Sequence, residues 1–225
     1  MNTVDTPDLP ATDSPELNNV RPKFRGALHA WAVLPFVVAG VLLVIAAGAD
    51  ARWPIVAYVL SVVGCLGTSA LYHRVDWRPT WYARMRRLDH AMIFVLIVGT
   101  WTPLCLVACR GRDIGTLFTA LCVMAGMGVA ITLFWTGAPK WLRAVIYLAV
   151  GWMGVLAVPH VYASMGSLGV GLLALGGLLY SIGALAYALQ WPNPAPRVFG
   201  YHEIFHALVI LAAAAHFALV ATAVA

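Results

Sequence analysis

The chain has 225 residues, 62% of them hydrophobic and only 10% charged, where an ordinary globular domain is about half apolar and about a quarter charged. A soluble fold of this size is excluded, because too much apolar surface would remain in water. The formal charge of +5 does not point to nucleic acid, since the basic residues fall in short gaps between apolar runs and form no continuous stripe.

The first 24 residues carry Pro7, Pro10, Pro15, Asp5, Asp8, Asp13 and Glu16 without the short apolar core of a cleaved signal. They read as a disordered cytoplasmic tail. Residues 25–225 read as one membrane domain. A bilayer-spanning helix needs about 20 apolar residues, and such runs occur at 28–48, 54–72, 90–109, 115–135, 142–160, 168–189 and 203–223. Seven spans are expected, all helical, because a lone strand in lipid leaves its amides and carbonyls without partners. The fold class is all-α, a seven-transmembrane helix bundle. Cys65, Cys105, Cys109 and Cys122 lie inside these runs with no C-x-x-C spacing, and read as packing residues.

An odd number of spans puts the termini on opposite sides, and Lys and Arg in alternate loops decide which end is cytoplasmic. Eleven fall on one side: Arg21, Lys23, Arg25, Arg74, Arg78, Arg84, Arg86, Arg87, Lys140, Arg143 and Arg197. Arg52, Arg110 and Arg112 fall on the other. The amino terminus is therefore expected inside and the carboxyl terminus outside. Trp53, Trp77, Trp81, Trp141 and Trp191 then sit near span ends, where amphipathic rings prefer the interface.

Ionisable groups at hydrocarbon depth are costly, so each is a functional candidate. His73 ends span two, Asp89 begins span three, and His202, Glu203 and His206 begin span seven. All fall at the expected cytoplasmic ends. His202 and His206, four residues apart, share a helix face at a spacing that lets two imidazoles hold one metal. The competing reading is a pair of interfacial histidines bonded to headgroups. His73 adds a third imidazole from another helix, and three histidines with an open fourth position describe a catalytic zinc site. Ser69 lies one turn before His73, placed to hold a water or substrate oxygen or to bond its own helix. Asp89 wants a cation, a water or a histidine, and Arg86 or Arg87 would also satisfy it.

The stretches "SALYHRVDW" from Ser69, "RRLDHAMIFVLIVGTWTP" from Arg86 and "HEIFHALVILAAAAHF" from His202 resemble, in order and spacing, the hemolysin III family, the bacterial branch of the progestin and adipoQ receptor proteins. The resemblance runs from about residue 22 onward. It implies a bacterial inner-membrane protein with zinc near the inner leaflet, His73, His202 and His206 as ligands, and Ser69 and Asp89 beside the metal. Eukaryotic relatives of that family are linked to hormone sensing and ceramide hydrolysis, bacterial ones to membrane homeostasis or a haemolytic effect.

Two classes of function follow. The first is a zinc-dependent hydrolase acting on a membrane lipid amide or ester, in which the metal lowers the pKa of water toward about 7 and Asp89 takes its proton. The second is a sensor or homeostasis protein whose zinc is structural. The letters H-E-x-x-H in "HEIFH" also suggest an intramembrane zinc protease with Glu203 as base, a reading that leaves His73 without a role. A transporter would place polar groups across the midplane, and paired haem ligands would oppose one another from two helices. His216, ten residues past His206 and about 15 Å along the helix, reads as a buried hydrogen-bonded histidine. His29, His90 and His160 read as residues solvated at the interface.

Overall fold

The computed structural model describes residues 22–109, 111–135 and 139–224, and all regular structure among them is helical. Helix α1 runs Ala27–Ala46 and α2 runs Ala49–Arg74. Only Ala47 and Gly48 separate them, so the two pack antiparallel as a tight hairpin. Helix α3, Pro79–Pro103, packs on α2 and passes into a π-helical turn, Leu104–Ala108. Pro103 lacks the N–H that would continue the ladder, which locates the irregular turn there. Next come α4, Arg112–Phe134, and α5, Lys140–Trp152, the latter followed by a 3₁₀ turn at Met153–Ala157. Helix α6, Val158–Leu189, lies along α7, Tyr201–Val224, in the most extensive pairing of the bundle.

The burial pattern is that of a protein turned toward lipid. Leu34, Ile45, Leu60, Phe134 and Leu156 are exposed, while Ser69, His73, Thr100, Glu203 and His206 are buried. In water that distribution would waste about 25 cal/mol for every Å² of apolar surface left outside. In hydrocarbon it costs nothing, and only the polar groups need protein around them.

Among the described residues six segments are long and apolar enough to cross a bilayer, against the seven expected. The difference lies in Trp141–Leu189, one continuous stretch of 49 residues that holds both expected spans 142–160 and 168–189. Gly166 interrupts it with φ 61 and ψ −158, a conformation open to glycine and closed to most other residues. A second departure concerns the third span. Its helix starts at Pro79, a residue suited to the first helical position, and not near residue 90. The polar turns from Arg84 to Arg87 are helical but not apolar, so an apolar run marks only the inner part. Asp89 is consequently in the body of α3.

Most of the expected tail, residues 1–21, lies outside the described residues. Pro22 to Gly26 form a strap across the end of the bundle where α2 finishes and α7 begins. The Lys23 amide donates to the Arg197 carbonyl at 3.2 Å and the Phe24 amide to the Val198 carbonyl at 3.3 Å. Gly26, with φ 74, turns the strap into α1 directly over His73; a Cβ there would strike the His73 Cβ.

Candidate metal centre and its cavity

Helix α2 ends with His73 and helix α7 begins with His202 and His206, and the packing of these ends brings the three rings together. Their ligand atoms all lie within 4.8 Å of one another. His73 and His206 are buried and His202 is half-buried. Ring centroids are 4.7 Å apart for His73 and His202, 5.1 Å for His73 and His206, and 4.5 Å for His202 and His206. The Nε2 atoms of His73 and His202 approach to 3.1 Å. Two imidazoles bound to one zinc at about 2.0–2.1 Å and a tetrahedral angle hold their nitrogens about 3.3 Å apart. The donor set of His73, His202 and His206 and its spacing therefore fit a metal ion such as zinc.

A fourth histidine stands behind this group. His29, on the first turn of α1, stacks face to face on His206 with centroids 3.9 Å apart and planes 12° from parallel. It is 3% exposed, and neither ring nitrogen has a hydrogen-bond partner. This corrects the expectation of an interface-solvated residue. His206 Nδ1 is likewise buried without a partner, so the stack, and not a hydrogen bond, holds the plane of that ring. The signal was present in the sequence: His29 starts span one at the same expected depth as the other three, but no helical spacing links it to them.

Glu203 faces elsewhere. One carboxylate oxygen accepts from Arg25 Nε at 2.7 Å and the other from the Gly200 amide at 2.8 Å. The second contact is the reach-back of a capping box, satisfying a donor at the start of α7. The first ties the strap to the helix in a pair where Glu203 is fully buried. Both oxygens are thus engaged by the strap and the helix start, and Glu203 is not among the residues lining the cavity, which argues against the base that the protease reading requires.

Asp89 and Ser69 line the cavity that also contains the three histidines. Ser69 is buried within that lining. Among the described residues, no ion pair is found between Asp89 and Arg86 or Arg87. The cavity has a volume of about 660 Å³, in the range of small-molecule sites. Beyond the histidines its wall is largely apolar, with Leu96, Ile97, Trp101, Val170 and Val209 among the lining. Trp152, Val155 and Leu178 belong to the same wall and are also exposed on the bundle surface. They lie where α5, the 3₁₀ turn and α6 meet, and bring the cavity to the lipid-facing side.

Of the other histidines, His90 Nδ1 contacts the Arg86 carbonyl at 2.6 Å. His160 Nε2 meets Asp113 Oδ2 at 2.6 Å. His216 Nε2 donates to the Leu173 carbonyl at 3.3 Å, as the buried reading expects.

The chain has recognisable relatives. A family profile described as Haemolysin-III related matches residues 17–217. The hemolysin-3 homolog of Bacillus subtilis (strain 168) is 33% identical over 193 residues, 84% of this chain and 87% of that protein. Hemolysin-3 of Bacillus cereus is 30% identical over 123 residues, 55% of this chain and 53% of that protein. The adiponectin receptor protein of Drosophila melanogaster is 29% identical over 178 residues, covering 72% of this chain and 40% of the receptor.

Proposed function

The chain belongs to the haemolysin-III-related family of multi-pass membrane proteins, and from that premise we propose that it is a zinc-dependent hydrolase of a membrane lipid amide or ester. The observation that carries this reading is the position of the three imidazoles. They stand at one end of a largely apolar cavity that also holds a carboxyl and a hydroxyl and reaches the lipid-facing surface.

A bound zinc ion supplies Lewis acidity toward a carbonyl oxygen and brings the pKa of water down toward about 7. The protein supplies the rest. His73, His202 and His206 hold the cation between α2 and α7. Asp89 accepts the proton of the attacking water and returns it to the leaving amine or alcohol, the role of a general base and acid. Ser69 orients that carboxyl. The apolar wall takes the acyl chain, and the strap over His73 limits entry of bulk water. Lipid enters sideways from the inner leaflet.

We place this chemistry in a bacterial inner membrane, with the amino terminus cytoplasmic and seven crossings. The 49-residue stretch Trp141–Leu189 supports the count: at 1.5 Å per residue it is about 74 Å of helix, more than twice the roughly 30 Å of a hydrocarbon core. The non-helical backbone at Gly166 supports a reversal at that point.

The deciding experiment loads the purified protein with zinc and offers it lipid amides and esters in mixed micelles. Release of fatty acid by the wild type and its loss in Asp89→Asn, with metal content unchanged, is the expected outcome. A second reading, a structural metal in a bilayer sensor, draws on the origin of the ligands from helices far apart in sequence, which makes metal binding part of folding. It predicts a melting temperature that drops on chelation with no lipid turned over.

A further inference from the structure

The cavity does not end at the histidine triad. His216 lines it too, ten residues beyond His206 on the same helix and therefore about 15 Å deeper. On the same helix Val209 lies between the two levels, and the cavity lining also includes the apolar Leu96 and Ile97. An imidazole at that depth, in the middle of a spanning helix, is unexplained by the hydrolytic site.

Its surroundings hold it firmly. Nε2 is engaged by the Leu173 carbonyl at 3.3 Å, which leaves Nδ1 as the ring atom available to a ligand. Gly176 of α6 lies against the ring so closely that any side chain there would collide with it. The Tyr180 ring sits 5.6 Å away, lines the same cavity, and carries a buried hydroxyl with no hydrogen-bond partner. A buried hydroxyl left without a partner is costly, and a wholly apolar floor would not carry that cost.

We propose that His216 and Tyr180 form a second polar station in the cavity, which recognises a hydrogen-bonding group carried part-way along the ligand's chain. The ligand class is thereby narrowed to lipids with a hydroxyl or similar group near the middle of an acyl chain whose carbonyl end lies at the histidine triad. This rests on the lipid reading of the cavity.

The sign of one affinity ratio tests it. In a purely apolar cavity a hydroxyl on the chain weakens binding, because it gives up its water without a partner. A station reverses that order. The full-length zinc-loaded protein in detergent is titrated with stearic acid and with hydroxystearic acid whose hydroxyl lies near mid-chain. The hydroxylated acid is expected to bind the wild type about tenfold more tightly, the worth of one well-made hydrogen bond. His216→Phe is expected to invert the preference, and Tyr180→Phe, which deletes one oxygen, to reduce it. Because the two acids are compared within one protein, a general loss of stability cancels. Equal or weaker binding of the hydroxylated acid by the wild type, or a preference that survives both substitutions, overturns the station while the lipid reading stands. Binding of neither acid overturns both.

Discussion

At one end of the bundle His73, His202 and His206 are gathered from two helices, with His29 of a third stacked behind them, almost wholly shielded. At the other end His160 meets Asp113 at 2.6 Å, yet Asp113 remains 70% exposed. Both ends use imidazoles and carboxylates, so residue type does not separate them. Burial and convergence do. Water satisfies the outer pair and weakens it to the level of an ordinary surface contact. At the histidine cluster the rings are largely withdrawn from solvent, and their converging nitrogens form a donor set that could take a cation.

This contrast can be broken or sharpened by substitution. The largest effect is expected from His206→Ala, which deletes a ligand outright. Metal content and lipid turnover should both be lost, with affinity falling by more than the about 10- to 100-fold typical of changes behind the ligands, as read by competition with a chromophoric chelator. Asp89→Asn should keep the metal and lower turnover by about 10²- to 10⁴-fold, the usual worth of a general base; steady-state kinetics with parallel elemental analysis decides. Glu203→Gln should leave the turnover of loaded protein within about twofold while costing about 1–3 kcal/mol of stability, from the hydrogen bonds of a buried carboxylate. Denaturation in detergent measures it, and a collapse of turnover would revive the protease reading. His29→Ala should weaken metal binding about tenfold, and His29→Phe, which keeps a flat ring against His206, should recover most of that. Least of all, Asp113→Asn should leave metal content, turnover and melting temperature where they were.

The spans and the histidine triad were legible because each rests on a short-range regularity: runs of about 20 apolar residues for the former and i, i+4 spacing for His202 and His206. His29 was not, since its place depends on α1 packing against α7, which no periodicity records. The start of α3 was missed for the opposite reason. Residues 79–89 are helical without being apolar, and a reading tuned to hydrocarbon sees only where lipid begins. The HEIFH letters carry a protease reading as a minor alternative, and what they do not record is the partner of Glu203. Glu203 is one residue past His202, about 100° around the helix, and the neighbour it finds there is Arg25 of the strap. Nothing within five residues of it announces that partner. Seven apolar runs are legible in hydropathy, whereas six segments of the described residues are long and apolar enough to cross, because the stretch from Trp141 to Leu189, with its break at Gly166, joins two of the expected spans.

The strap has a mechanical consequence. Residues 22–26 are laced to the α6–α7 connection by two backbone hydrogen bonds, clasped by Glu203 and pressed onto His73 at Gly26. A tug on the chain just ahead of Pro22 is therefore felt first at the imidazoles, before any helix has tilted. A bulky fusion or an antibody attached there would act as a handle on the ceiling of the histidine cluster, and its influence is expected at the three rings before any loss of fold.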